Sequence, residues 1–323
     1  MAHQDKKASS SIHNLLGRHE FCYNRGVQLS QLNLYEEAIA NYDKAIKLKP
    51  DYYEAWYDRG WALYILGRNE KALASYDKVI ELKPDYYRGW YCRGLVLHTL
   101  GRAEEAIASY GKAIEFKQDY YEVWYNRGAA LGNLDRNKEA LTSFNKAIEF
   151  KPDYYEAWSY RGLILGTLGR KEEALTSFNK AIEFKLDYYE AWHCQGLVLE
   201  HLSRYEEALF SYEKAIEFKN DFHNAWYSYG RALKSLGRYE EALVSYNKAI
   251  KFKPDYQEAW YDKACCYGLQ GKIELAIENL QQAINISPDE YREMARVDSA
   301  FDRIRADERF LALIQNNDIN SAR

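Results

Sequence analysis

Apolar, small and turn-forming residues return every 34 positions along most of the chain. In the clearest copy, Trp56, Leu63 and Leu66 lie at helical spacing and Gly67 follows them. A second apolar series, at steps of three and four residues, ends at Pro84. Such spacing is typical of amphipathic helices, and glycine and proline mark helix ends. Each copy is therefore predicted to be two antiparallel helices joined by a short turn.

The period sets the organisation of the whole chain. A repeat of this length, recurring in register, predicts a stacked array of helix pairs rather than one compact core. Residues 1–16 are polar and predict a frayed tail, and residues 289–323 predict a helical cap with a frayed end. The eight predicted units are residues 17–50, 51–84, 85–118, 119–152, 153–186, 187–220, 221–254 and 255–288.

Small and bulky side chains stand in fixed columns of the repeat. The Gly60 position is glycine in seven units, and the Ala72 position is alanine in all eight. A glycine inside a helix costs roughly 0.5–1 kcal/mol relative to alanine, so its recurrence predicts that another backbone passes close by. Trp56 and Tyr76 supply the bulky groups, and large residues facing small ones predict a tightly packed helix pair.

Two charged columns have candidate structural roles. Asp51 is predicted to cap the first helix, with Glu54 completing a capping box. The glutamate column has a second interpretation, an acidic rail that selects basic ligands, because a capping carboxylate is still exposed. The Arg59 column is predicted to pack its stems while its guanidinium groups reach Asp58 or the glutamates. The glutamate column consists of Glu20, Glu54, Glu122, Glu156, Glu190 and Glu258.

The repeated positions resemble the tetratricopeptide repeat (TPR) family. Units two to seven match strongly, whereas unit one has Cys22 in place of tryptophan and unit eight departs at Ala264. The resemblance implies an all-α fold, an α-solenoid of eight helix-turn-helix units in a right-handed superhelix, whose first helices line a concave groove. In the second unit the matching positions are Trp56, Gly60, Leu63, Ala72, Tyr76, Val79 and Pro84.

The sequence after residue 288 looks like the terminal segment of many bacterial TPR arrays. Residues 290–296 predict one more helix, and two short segments rich in apolar residues follow it. This part of the resemblance implies a multi-repeat array that ends in a capping segment. The residues predicted to cover the exposed face of unit eight are Phe301, Ile304, Phe310, Leu313 and Ile314.

Composition narrows the class of protein. The net charge is −4, and nucleic-acid binders usually carry a clear basic excess, so a nucleic-acid partner is not expected. Five cysteines without a CxxC pair favour a reducing compartment. No run approaches the ~20 apolar residues of a membrane span, and the N-terminal residues have no apolar signal core. We therefore expect a cytoplasmic protein with no membrane partner.

Motifs of catalysis and metal binding are not evident in the sequence. There is no Gly-rich phosphate loop, HExxH or GxSxG motif. The adjacent pair His193 and Cys194 has two interpretations, a reactive or metal-binding site and two residues of a degenerate repeat, and the second is preferred. The sequence thus predicts no enzyme, no catalytic residue, no metal site and no cofactor.

Aromatic and apolar side chains on the first helices are the candidates for ligand binding. Tyrosine recurs at the Tyr57 position, off the core stripe, and an aromatic row with polar tips suits a peptide ligand. The alternative is a tyrosine ladder between neighbouring first helices. Four residues further on, Trp61 heads an apolar strip and is a candidate hot spot, with Tyr64 and Asp58 beside it. The predicted groove residues are Tyr23, Tyr57, Trp61, Tyr64, Tyr91, Leu95, Tyr125, Leu163, His193, Leu197, Tyr227, Arg231 and Tyr261.

The preferred function is that of a non-enzymatic scaffold or adaptor that binds a peptide segment or a partner protein in the concave groove. The Lys and Asn residues with which some family members grip a C-terminal carboxylate are replaced by tyrosine and apolar residues, so that mode is disfavoured. An alternative is a regulatory or substrate-docking subunit of an enzyme system, or an assembly factor for a larger complex, with catalysis on another chain. Self-association remains a further alternative.

Overall fold

The computed structural model describes residues 17–315, so the predictions for residues 1–16 and for the last eight residues lie outside the described part of the chain. Eighteen α-helices and one short 3₁₀ helix make up this part, and it holds no β-strand. The helices are α1 (Arg18–Gln31), α2 (Tyr35–Leu48), α3 (Tyr53–Ile65), α4 (Asn69–Leu82), α5 (Tyr87–Thr99), α6 (Ala103–Phe116), α7 (Tyr121–Asn133), α8 (Asn137–Phe150), α9 (Tyr155–Thr167), α10 (Lys171–Phe184), α11 (Tyr189–His201), α12 (Tyr205–Phe218), α13 (His223–Ser235), α14 (Tyr239–Phe252), α15 (Gln257–Leu269), α16 (Ile273–Ile286), α17 (Pro288–Val297), the 3₁₀ helix (Ser299–Phe301) and α18 (Glu308–Gln315).

Consecutive helices form pairs, one pair for each 34-residue repeat. The pairs are grouped in two compact units, which divide between Ile164 and Leu165 inside α9. From here on, the first unit and the second unit are these two groups, and a single helix pair is called a repeat. In the first unit α1 packs on α2, α3 on α4, α5 on α6 and α7 on α8, and in the second α11 packs on α12, α13 on α14 and α15 on α16. Within each unit, the second helix of one pair also packs on the first helix of the following pair. This is the all-α arrangement of a TPR solenoid, and the predicted fold class is confirmed.

The turn inside each pair follows the glycine signal. Gly67 has a φ of 70°, a left-handed conformation that glycine adopts without steric cost. Its N–H donates to the carbonyl of Tyr64 at 2.9 Å, and the N–H of Arg68 donates to the carbonyl of Leu63 at 2.9 Å. These two bonds are the Schellman pattern of a helix C-terminus. The predicted helix end at Gly67 is confirmed.

The predicted capping box at the start of the first helices is wrong. α3 follows Tyr52, and no side-chain hydrogen bond from Asp51 or Glu54 caps it. The turn is held instead by Trp56, whose indole N–H donates to the carbonyl of Pro50 at 2.9 Å. The helix begins at Tyr53, so Asp51 precedes the residue at the N-cap position, Tyr52. The same indole bond, to the carbonyl six residues earlier, is made by Trp90, Trp124, Trp158, Trp192, Trp226 and Trp260.

The glycine column faces an aromatic ring, so the expectation of a neighbouring backbone is wrong. A Cβ atom on Gly60 would lie 2.9 Å from the ring of Tyr76, and one on Gly94 would lie 2.5 Å from the ring of Tyr110. Both rings are fully buried. Glycine recurs here because the ring of the second helix fills the space of its side chain.

The arginine column ties three helices together, but not through the predicted carboxylates. Nε of Arg59 donates to Oδ1 of Asp43 at 2.7 Å, and Nη1 donates to Oγ of Ser75 at 2.7 Å. Asp43 lies on α2 and Ser75 on α4, so the guanidinium group on α3 bridges the preceding pair and its own partner. The expected contact with Asp58 or the glutamate column is wrong at this position, since the side chain extends toward the second helices.

The C-terminal segment packs where the sequence predicted it. Phe301, Ile304, Phe310, Leu313 and Ile314 are buried in one cluster with residues of α15 and α16. α17 confirms the predicted helix at 290–296, and Pro288 stands at its first position, where the missing proline N–H costs no hydrogen bond. The segment supplies the last pair with the apolar neighbour that a further repeat would give.

Among residues 17–315, none of the helices is both long enough and apolar enough to cross a membrane.

Candidate functional site

The candidate face is defined by the side chains at the Tyr57, Trp61 and Tyr64 positions of the first helices. Along it the tyrosine row reaches to the next first helix. The hydroxyl of Tyr23 donates to Oδ2 of Asp58 at 2.7 Å, and Sγ of Cys92 donates to the hydroxyl of Tyr57 at 3.5 Å. Every such pair is 35 residues apart in sequence. The remaining pairs are Asn126 to Tyr91, His193 with Ser228, and Tyr227 to Asp262.

The rings of the row also pack against the tyrosines that precede each first helix. Tyr57 lies 5.5 Å from Tyr86, and Tyr91 lies 5.1 Å from Tyr120, between ring centroids and nearly edge to face. Such pairs stabilise packing by about 0.5–1.5 kcal/mol beyond burial. The geometry is that of the ladder between neighbouring first helices. Ligand binding through the row, including Tyr125, which lies 5.4 Å from Tyr160, stays a prediction.

Trp61 differs from the row because it is open to solvent. Its side chain is 42% exposed, and its ring lies 5.9 Å from that of Tyr64. The hydroxyl of Tyr64 in turn lies 3.2 Å from Oγ1 of Thr99 on the next first helix. Beside Trp61 is a cavity of about 220 Å³. It is lined by Val27, Ser30, Gln31, Tyr35, Tyr42, Asp58 and Trp61.

Asp58 adds charge to this apolar surface. Its carboxylate is half-buried, and burial raises its pKa above the ordinary value, while the hydrogen bond from Tyr23 opposes that rise. A partly desolvated carboxylate attracts a cation or a hydrogen-bond donor more strongly than one in water. The cavity therefore combines an indole face with one acidic acceptor.

Two predicted groove leucines lie at the same repeat position as Trp61. Leu95 is half-buried, and Leu163 is 41% exposed.

The second unit presents a different surface at the same repeat positions. Arg231 occupies the Trp61 position and pairs with Oε1 of Glu200 at 2.7 Å. Oε2 of Glu200 accepts from the hydroxyl of Tyr212 at 2.8 Å. Lys234 pairs with Asp262. Charges that are paired and partly buried add geometric order more than attraction for a ligand. Leu197 is half-buried against the core of this unit.

Sequence reasoning missed the carboxylates of these pairs, Glu200 and Asp262. The sequence did contain a signal for Asp262, which stands at the Asp58 repeat position. Residues at this position are mostly polar, and they face the tyrosine row of the preceding repeat. Tyr261, a predicted groove residue, is only 4% exposed. Its hydroxyl donates to Oδ2 of Asp298 at 2.9 Å, and its ring packs 5.0 Å from that of Tyr291. Ligand contact at Tyr261 would require the C-terminal segment to move.

His193 takes the place of a tyrosine and is held as a neutral ring. Its Nε2 lies 3.1 Å from Oγ of Ser228, and its ring packs 5.1 Å from Phe222 and 5.7 Å from Tyr212. Burial, and secondarily the charge of Arg231, lower its pKa from 6.5 to about 4. Cys194 beside it is half-buried, and burial raises the pKa of its thiol to about 11. In the described residues, no group of three or more His, Cys, Asp or Glu side chains is arranged to hold a metal ion.

The lowered pKa predicts an acid-dependent loss of stability in the second unit. Between its unfolded pKa of 6.5 and its folded pKa of about 4, His193 takes up a proton only in the unfolded chain. Stability therefore falls as pH falls through this window, by about 2–3 kcal/mol at pH 4.5. His193→Tyr, which installs the residue common at this position, is expected to remove that loss.

Urea unfolding of both proteins at pH 7.5 and pH 4.5, followed by circular dichroism, measures this difference. Hydrogen exchange of the α11 amides assigns it to the right repeat, since repeats need not unfold together. Equal pH dependence in the wild type and His193→Tyr would contradict the prediction.

Several solved structures are similar to this chain in fold. A tetratricopeptide repeat protein from Parabacteroides merdae is 17% identical with a TM-score of 0.59, the match covering 83% of this chain and 99% of that one. YrrB, described as a TPR protein with an unusual peptide-binding site, is 27% identical with a TM-score of 0.51, covering 57% of this chain and 95% of YrrB. The Cut9–Hcn1 hetero-tetramer of the APC/C contains a chain 15% identical with a TM-score of 0.55, covering 79% of this chain and 50% of that one.

Family models give the most direct result, whereas the comparison with curated proteins found no match. Models described as Tetratricopeptide repeat or TPR repeat match residues 23–87, 75–108, 96–135, 121–154, 155–188, 189–222, 211–244, 230–265 and 258–290. These ranges extend over most of the chain and follow its period. The chain therefore belongs to the tetratricopeptide repeat family.

Proposed function

We propose that the chain is a non-catalytic scaffold that binds a peptide segment of a partner protein on the candidate face of its first unit. The observation that carries the proposal is Trp61, an exposed indole at a cavity that also contains the carboxylate of Asp58. Exposed aromatic anchors beside a pocket are the usual hot spots of protein interfaces. The likeness to YrrB, a TPR protein with a peptide-binding site, supports the same class of ligand.

The chemistry of the cavity specifies the peptide. An apolar side chain fits against the indole and Val27, and a neighbouring lysine, arginine or backbone N–H donates to Asp58. The helices that carry these groups are regular and packed, so little ordering entropy is lost on the protein side. In the second unit, Arg231 stands at the Trp61 position, and its guanidinium group is paired with Glu200, so it offers no comparable exposed apolar anchor.

Selection from a displayed random peptide library on the wild-type protein tests this proposal. Selected peptides are expected to share an apolar residue next to a basic one. Trp61→Ala combined with Leu95→Ala should weaken their binding at least about tenfold. Val244→Ala, which shortens an exposed apolar side chain on a second helix, is the matched control and should bind as the wild type does.

A charge variant separates the two parts of the cavity. Asp58→Asn keeps the acceptor for the Tyr23 hydroxyl, and asparagine already occurs at this repeat position as Asn126. It should weaken peptides that contain the basic residue and leave purely apolar ones unchanged. Unaltered binding of all selected peptides by both the Trp61 and the Asp58 variants, with circular dichroism showing folded proteins, would refute the proposal.

A further inference from the structure

A cleft on the second-helix side of the second unit lies away from the candidate face. It has a volume of about 480 Å³, within the range of ligand pockets in proteins. Its walls come from α10, α11 and α12. The lining residues on which the argument depends are Asn179, Trp192, Gln195, Glu207, Phe210 and Ser211.

The cleft lies where other repeats place a guanidinium group. In the second repeat, Arg59 binds Asp43 and Ser75, each at 2.7 Å, and its Cζ lies 5.6 Å from the ring centroid of Trp56. Arg93 makes the same pair of bonds in the third repeat. The sixth repeat has Gln195 at this position.

Gln195 reproduces the neutral part of that arrangement and omits the charge. Its Nε2 donates to Oδ1 of Asn179 at 2.5 Å, and its Oε1 accepts from Oγ of Ser211 at 2.8 Å. A glutamine side chain is shorter than arginine and carries no cation. The indole of Trp192 therefore has no arginine from its own helix beside it, unlike that of Trp56.

Aromatic and acidic groups border the space that is left. Phe210 is 54% exposed and meets Trp192 nearly edge to face, with ring centroids 6.0 Å apart. The corresponding position holds alanine in the second and third repeats and threonine in the fourth and fifth. Glu206 and Glu207 line the cleft together with one cation, Arg204, which pairs with Glu207 at 2.6 Å. The lining thus carries one more negative than positive charge.

We propose that this cleft binds an arginine side chain of a partner protein, which supplies from outside the guanidinium that the sixth repeat lacks. The planar cation stacks against the aromatic wall. The carboxylate of Glu206 on the rim accepts its N–H groups, since both oxygens of Glu207 already accept from Arg204 at 2.6 Å. The site does not depend on the peptide site proposed at Trp61, since that cavity lies in the first unit and this cleft lies in the second and selects a different group. The two sites would let one chain hold two segments.

Titration of the isotope-labelled full chain with N-acetyl-arginine methylamide tests the site, with the indole N–H of Trp192 as the nuclear magnetic resonance probe. A saturable shift is expected with the arginine compound. The citrulline analogue has the same shape without the charge and should bind at least about tenfold more weakly. Equal responses to the two compounds, or no response to either, would overturn the proposal.

Two variants exchange the site between repeats. Gln195→Arg installs the side chain that the first five repeats carry at this position, so the protein should stay folded while the Trp192 response falls at least about tenfold. Arg93→Gln combined with Ala108→Phe, which supplies the counterpart of Phe210, should create a response at Trp90. A full Trp192 response in Gln195→Arg would overturn the proposal, as would a Trp90 that stays silent in the double variant, because the missing arginine would then not define the site.

Discussion

Gly94→Ala is expected to destabilise the chain by about 1–3 kcal/mol, although alanine is the better helix former. The Cβ atom would lie 2.5 Å from one atom of the Tyr110 ring and 2.7 Å from another. These atoms are in the middle of a fully buried side chain, not at the free end of a flexible one. The ring or the helix pair must therefore shift.

Gly111→Ala is the matched control, because it lies in the same repeat and inside α6. A Cβ atom there meets nothing within 4 Å. This variant should gain about 0.5–1 kcal/mol from helix propensity. Urea unfolding by circular dichroism, with hydrogen exchange of the α5 amides to localise the effect, measures the difference between the two. Gly94→Ala unfolding like Gly111→Ala would contradict the steric argument.

The last repeat provides the compensating change. There Ala264 stands at the glycine position and Leu280 at the tyrosine position, and both are fully buried. The double variant Gly94→Ala with Tyr110→Leu copies this pair. Its loss of unfolding free energy should be smaller, by at least about 1 kcal/mol, than the sum of the losses in the two single variants. Additive single effects would show that the two positions do not share one space.

The helix pairs were predictable because their signals are local. Spacing, Gly67 and Pro84 act within a few residues of the helix they begin or end. The exact neighbours were less accessible. The ring beside Gly60 and the partners of Arg59 depend on how one helix pair stacks on the next, which no single unit encodes. Asp51 fits the composition of a capping box, yet the indole of Trp56 fixes that turn.

The candidate site shows the same division. The aromatic face at Trp61 follows from one exposed residue that departs from the repeat, and the sequence singled it out. The bonds of the tyrosine row depend on residues 35 positions away, so their geometry required the structure. The cleft beside Gln195 likewise required the structure. It can be explained only once the contacts of Arg59 are known, because the cleft lies where the sixth repeat lacks that arginine.

Phe301→Ala is expected to release the C-terminal segment from the last repeat. Phe301 is fully buried, with its ring 5.3 Å from that of Phe310 and 5.9 Å from that of Tyr261. Truncation of a buried phenylalanine to alanine costs about 3–5 kcal/mol. Phe210→Ala is the control, since that side chain is 54% exposed and its loss should change stability by less than about 0.5 kcal/mol.

Two adjacent cysteines report which part of the unit opens. Cys265 is buried in the cluster that contains Phe301 and Phe310, whereas Cys266 is buried in a separate cluster with Tyr246 and Leu233. If the segment opens while the repeats stay folded, Phe301→Ala should raise the rate of thiol labelling at Cys265 by about two orders of magnitude and leave Cys266 slow. Peptide mapping by mass spectrometry distinguishes them. Equal acceleration at both cysteines would mean that the last repeat unfolds with the segment, and unchanged labelling of Cys265 would mean that the segment does not cover it.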